Sequence, residues 1–285
     1  MKTIVAATDF STRSQRALRR AGLLARQFGA EVTLVHVVDD DQPEALVEVE
    51  RREADRYLNE QMTSLAELRD SRCRAVVTTG EAFDSILQAA RNASADLIVM
   101  GMHRKQLLRD TIVGTTIERV IRTGPYPVLM VNKDAAHSYG HVLAAVDMSK
   151  ASAHAIQTAA ALGLLGDAAV SLIHAFLAPG RGMMFVANAP EDQIEKYVAS
   201  ERLQAREELL AFLAAHEIGS QGWRHRIEEG GAFEVISKAV KETTPDLVVI
   251  GTHGRSGIVK MLIGSVAEEV LRSIDVDILA VPPIR

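Results

Sequence analysis

A single cysteine, Cys73, stands in a chain of 285 residues. Without a second thiol there is no intrachain disulfide and no cysteine-rich metal site. Aromatic residues make up 4% of the chain and are not interleaved with Lys or Arg; the net charge is −5 and no basic block occurs. That balance argues against a nucleic-acid partner. No apolar run approaches the roughly 20 residues that span a bilayer. The N-terminus enters a strand directly, without a signal-peptide pattern. The expectation is a cytoplasmic protein with no membrane partner. Catalytic signatures are also missing: there is no Gly-x-Ser-x-Gly elbow, no kinase motif set and no Gly-Lys-Ser/Thr phosphate loop.

The composition, 47% hydrophobic and 24% charged, is that of an ordinary globular protein. At roughly 150 residues per domain, the length suggests two domains. One stretch organises the chain. After the apolar run Leu247, Val248, Val249 and Ile250 comes a loop of the form Gly251-x2-Gly254-x9-Gly264-Ser265, and then a helical pattern through Val266, Val270 and Leu271. Strand, glycine loop and helix N-terminus together form an anion site, because glycines let the backbone approach a ligand and the first helical turn offers unpaired N–H groups.

The same loop occurs twice. A shift of 150 positions lays Gly101 on Gly251, His103 on His253 and Gly114-Thr115 on Gly264-Ser265. It also brings Glu118, Val120, Arg122, Leu129 and Val131 onto identical residues. Nearer the N-terminus the shift is 138, laying Asp9 on Asp147 and His36 on His174, so the second copy holds twelve extra residues after Ala175. Those residues include Met183-Met-Phe-Val186, readable as a lid, a partner contact or a tucked-in loop.

Each copy alternates apolar runs of strand length with amphipathic stretches of helical spacing. Alternation of this kind implies an α/β fold, with a parallel sheet and helices on both faces. The division expected is residues 1–133 as one domain, 134–140 as a linker and 141–285 as the second domain. Ser11 is positioned to cap a helix carrying Ala17, Leu18, Ala21, Leu24 and Ala25 on one stripe, and a charge-rich helix is expected from Pro43 to about Leu68.

The Ala7-Thr-Asp-Phe-Ser11 opening, Leu34-Val-His-Val37 and the glycine loop together resemble the universal stress protein family, over nearly the whole chain and in tandem. The resemblance implies, for each domain, an open five-stranded parallel sheet of order 3-2-1-4-5, the adenine nucleotide alpha hydrolase-like fold. It implies ATP, with Mg, at the carboxyl ends of strands one and four, where sheets of this order bind ligands. By matching positions the second-domain contacts are Asp147, Ala175, Gly251, His253, Gly254, Gly264, Ser265 and Val266, and the weaker first-domain set is Asp9, Val37, Gly101, Arg104, Gly114 and Thr115. It also implies pairing of the two domains through their fifth strands, with a further homodimer of chains left open.

The copies diverge inside the loop. Arg104 replaces the second glycine, which is Gly254 in the other copy, so a nucleotide is expected in the second domain only. Bound nucleotide is read as a conformational signal, with at most slow hydrolysis, since no base is recognisable for activating water. Two other functions stay open: an interaction scaffold without nucleotide, and a first-domain crevice for a different, more apolar small molecule. Within the strands, His36 and His174 read as hydrogen-bonded core residues. His137 and His141, at i, i+4 spacing without an acidic neighbour, are weak metal candidates.

Overall fold

The computed structural model describes residues 1–102, 115–219, 222–254 and 263–284. The first half runs β1 (Thr3–Ala7), α1 (Thr12–Phe28), β2 (Glu31–Val38), α2 (Glu44–Ser64), β3 (Arg72–Thr79), α3 (Ala82–Asn92), β4 (Leu97–Gly101), α4 (Thr116–Thr123) and β5 (Val128–Val131). The second half runs β6 (His141–Ala145), α5 (Lys150–Ala161), β7 (Ala169–Phe176), α6 (Gly180–Val186), α7 (Glu191–Ala215), β8 (Arg224–Glu229), α8 (Ala232–Thr243), β9 (Leu247–Gly251), α9 (Ser265–Ser273) and β10 (Asp277–Val281). Among the described residues, no helix is long and apolar enough to cross a membrane.

Local chemistry explains the boundaries. Ser11 and Ser149 cap α1 and α5 through their hydroxyls, and Gly29, in the left-handed region at φ 66°, ends α1. The charge-rich helix α2 stops at Ser64, short of the expected Leu68, because Leu65 turns extended and is buried with Leu68 beneath the helix end. β1, β4, β6 and β9 bury nearly every side chain, as central strands covered on both faces must.

Within each half the strands are parallel, in the order 3-2-1-4-5. The halves then join edge to edge. β5 and β10 pair antiparallel, Leu129 opposite Leu279 and Met130 opposite Ile278, giving one ten-stranded sheet. The fifth-strand pairing is therefore within the chain, and it covers two edges that would otherwise be exposed. Helices α1, α2, α5 and α7 pack into one core on one face, while α3, α4, α8 and α9 share the other. Because the central pair is antiparallel, the carboxyl ends of the two strand sets emerge at opposite edges of the sheet.

A buried polar node closes this junction. Asp277, at the start of β10, is fully buried. Its Oδ1 accepts the backbone N–H groups of Asn132 and Lys133 (2.9 and 3.0 Å), and its Oδ2 accepts Tyr139 OH (2.7 Å) and Arg20 Nε (3.2 Å). The Arg20 guanidinium stacks on the Tyr139 ring, 4.2 Å from its centroid, and donates to His137 O at 2.7 Å. Burial first, and the Asp277 charge second, push the Tyr139 phenol well above its usual pKa. One carboxylate thus ties α1, the connecting segment and β10 together. At the matching places in the other copy stand Pro127 and Thr158, so the node has no counterpart.

Candidate functional site

Each half has a cavity at the carboxyl ends of its first and fourth strands. The second-domain cavity, about 370 Å³, is lined by all eight residues expected there: Asp147, Ala175, Gly251, His253, Gly254, Gly264, Ser265 and Val266. The first-domain cavity, about 190 Å³, takes in Asp9, Val37 and Gly101. His103, Arg104 and Gly114, like Arg255 and Lys260 of the second loop, lie outside the described residues.

The carboxylate after strand one sits on a strained turn. Phe10 and Met148, at matching positions, adopt φ of 59° and 60°. Large side chains rarely enter that region, and strain repeated in both copies marks a built feature. The turn brings Asp9 Oδ1 to accept Ser11 N–H and Asp147 Oδ1 to accept Ser149 N–H, each at 3.0 Å. Burial raises the Asp9 pKa, but hydrogen bonds from Ser11 and Ser14 outweigh it and hold the group below the ordinary carboxylate range. His36 is half-buried, stacks on Phe10 and lines the first cavity, whereas His174 is buried as expected of a core residue. Their Nδ1 atoms lie 2.8 Å from Thr8 O and 2.7 Å from Val146 O, so Nδ1 carries the proton and the rings brace strand two against strand one.

The glycines divide by role. A Cβ on Gly101 would lie 2.5 Å from Arg13 O, and one on Gly251 would lie 3.0 Å from Ala151 O. Both positions let the first turn of α1 or α5 cross a strand end, a packing need met before any ligand arrives. Gly254 is not in the left-handed region; its constraint is space, since a Cβ there would lie 3.0 Å from Asp147 Oδ2. Beside it, His253 Nδ1 is 3.0 Å from Thr252 Oγ1, while its buried Nε2 has no partner among the described residues.

The two helix N-termini differ most. In α4, Thr115 and Glu118 form a closed capping box: Thr115 N–H donates to Glu118 Oε2 at 3.1 Å, and Thr115 Oγ1 accepts Glu118 N–H at 3.3 Å. Thr115 is thus spent on its own helix and is not among the residues lining the first cavity, where Thr116 and Ile117 appear instead. In α9 no side chain among the described residues caps the N-terminus. Glu268, which matches Glu118, turns away to Arg272 at 2.8 Å. Gly264, Ser265 and Val266 face the second cavity, with the positive end of the helix dipole behind them.

Size and polarity diverge as well. Val37 and Ile117 stand in the first cavity where Ala175 and Ala267 stand in the second, and Thr8 and Thr116 replace Val146 and Val266. The first crevice is the smaller and the more hydroxyl-rich of the two. Among the described residues no group of three or more His, Cys, Asp or Glu could hold a metal. Burial pushes the Cys73 thiol up to about 11, which leaves it an unreactive bystander.

Two matches to the model of the universal stress protein family, at residues 1–132 and 138–282, cover both halves. The chain belongs to the universal stress protein family. Its fold is the adenine nucleotide alpha hydrolase-like fold, present twice. A universal stress protein from Mycolicibacterium smegmatis is 25% identical over 98% of this chain and 97% of its own length. The crystal structure of one from Archaeoglobus fulgidus superposes with a TM-score of 0.71 at 19% identity, covering 98% of both chains. Another universal stress protein, solved in complex with cAMP, covers 47% of this chain at 22% identity and a TM-score of 0.40.

Proposed function

We propose that this is a stress-response protein of the cytoplasm whose second domain binds ATP and reports it as a conformational signal. The observation that carries this reading is the uncapped N-terminus of α9 facing a cavity, where α4 is closed by Thr115 and Glu118. Open N–H groups at a helix start are anion donors. A glutamate already seated at such a place repels a phosphate. The residues present fit a nucleotide. Gly254 leaves space beside Asp147, His253 offers an orphaned nitrogen, and Ala175 with Ile236 and Ala267 gives an apolar wall for a base. Asp147 is the only acidic residue lining the cavity among the described residues, so Mg would be held chiefly by phosphate oxygens and water.

ATP, when bound, supplies a polyanion with a transferable phosphoryl group. The described residues bind and orient it, and none is placed as a general base for water at the phosphate end. Signalling by occupancy therefore fits better than turnover. Calorimetric titration of Mg-ATP tests this reading: one ATP per chain is expected, and saturation at two, or no heat at all, would overturn it. A scaffold reading draws support from α6, the seven-residue helix within the extra segment, where Met183, Phe185 and Val186 are exposed by 71, 75 and 81%. That segment is a projecting apolar surface rather than a tucked-in loop.

A further inference from the structure

The second domain holds another cavity, of about 770 Å³, at the opposite end of its strands from the proposed nucleotide crevice. It lies where β6, β7 and β8 begin and α8 ends, lined by His141, Ser171, Arg224, Arg226, Glu242 and Thr243 among others. The register places Arg224 opposite Ser171 on one face of the sheet.

Comparison with the first copy shows what changed there. The matching residues are Thr3, Thr33, Arg74, Val76 and Asn92 for His141, Ser171, Arg224, Arg226 and Glu242. In the first domain the arginine is occupied, with Arg74 Nε donating to Thr33 Oγ1 at 2.8 Å. In the second, His141 has taken that hydroxyl. Its Nε2 lies 3.1 Å from Ser171 Oγ and its Nδ1 3.2 Å from Thr243 O at the end of α8. Ser171, buried to 5% exposure, is therefore committed to His141, and the Arg224 side chain makes no hydrogen bond or ion pair among the described residues. Two positions along the same strand face, Arg226 donates through Nε and one terminal nitrogen to Glu228 and Glu242. Those carboxylates are thus satisfied without Arg224, and Lys238 adds to them from α8. On the other face of β8, burial first and the charge of Arg206 second lower the His225 pKa.

We infer that this cavity is a second ligand site, for a small organic anion whose carboxylate or phosphate is taken by the Arg224 guanidinium. A planar fork with no carboxylate of its own pairs best with a two-oxygen anion. The backing is built: His141 and Ser171 form a fixed hydrogen-bonded wall, and Arg226 is held rigid by its two glutamates. The cavity exceeds what a bare oxyanion fills, which leaves room for an organic body.

NMR titration of the full chain with inorganic phosphate and, separately, citrate tests the site by position. Saturable shifts at the amides of Gly222, His225 and Ser171 and at the Arg224 side chain are expected with at least one probe. Arg224→Ala should weaken them about tenfold or more. The Arg224 side chain is exposed and bonded to nothing described, so this variant is expected to fold normally. Gly254→Arg should leave the shifts unchanged, separating them from phosphate bound at the glycine loop. A response to citrate alone or to phosphate alone supports the site and sorts its ligand class. Shifts confined to the Gly251 and Ser265 region, no shifts with either probe, or equal shifts in Arg224→Ala would each overturn it.

Discussion

The two crevices of this chain are built from the same strands, the same strained aspartate turn and the same histidine brace, yet they differ in size and in how the helix start beside them is satisfied. In the first, Thr115 and Glu118 close the helix start on itself, and Val37 and Ile117 narrow the space. In the second, the helix start is open, and alanines stand at both narrowing positions. A duplicated scaffold therefore does not carry its chemistry in the elements that define the fold. It carries it in whether a helix terminus is left unsatisfied and in a few side-chain volumes.

The comparison can be broken first at the junction, where the halves are least alike. Asp277→Ala leaves Arg20, Tyr139 and two backbone N–H groups buried without their acceptor. Loss of a partner from a buried pair costs about 3–5 kcal/mol. Denaturant unfolding should show that loss, whereas truncating an exposed pair such as Arg51 with Glu48 should shift the midpoint little. Next comes the glycine loop. Gly254→Arg, which copies the first repeat, should weaken ATP by at least about 100-fold, or roughly 2.7 kcal/mol; unchanged affinity would remove this loop from the site.

Narrowing the second cavity with Ala267→Ile should have a smaller effect, about tenfold in ATP affinity, since the cavity keeps its open helix start. Converting the first crevice is harder. Arg104→Gly with Glu118→Ala should uncover a second, weaker ATP equivalent in calorimetry, at a cost of about 1 kcal/mol for the lost capping box. The smallest effect belongs to Asp9. Its folded pKa is depressed, so its contribution to stability is present above the unfolded value of about 3.9 and is lost as pH falls through the folded value. Asp9→Asn should remove that contribution, lowering stability slightly at neutral pH and flattening the acid limb of the pH–stability curve measured by denaturant unfolding.

Much of this was legible in the residues. The repeat, the strand order implied by resemblance, the fifth-strand pairing and the convergence of Asp147 with the glycine loop all reappear in the folded chain. Other features had no readable signal. Thr115 with Glu118 and Ser265 with Glu268 share the same Ser/Thr-x-x-Glu spacing, and both glutamates have an arginine four residues on. Only the folded chain shows that one glutamate caps and the other pairs. The Arg20, Tyr139 and Asp277 node joins residues far apart in sequence and absent from the repeat, so no periodicity pointed to it. Gly101 and Gly251 line their cavities, and their close contact with a crossing helix, which depends on tertiary packing, had no signal in the sequence. For Gly254 the requirement is room beside a carboxylate rather than a left-handed backbone.

The antiparallel seam between β5 and β10 has a thermodynamic consequence. Two separate subunits joined along such an edge would dissociate on dilution, and their stability would depend on protein concentration. Here both edges belong to one polypeptide, so the contact forms at a fixed effective concentration however scarce the protein becomes. A symmetric pair would also have to alter both crevices with every substitution. The fused chain escapes that constraint: each crevice answers to its own residues, and a mixed state, one crevice closed and one open, is its resting composition rather than a half-filled intermediate.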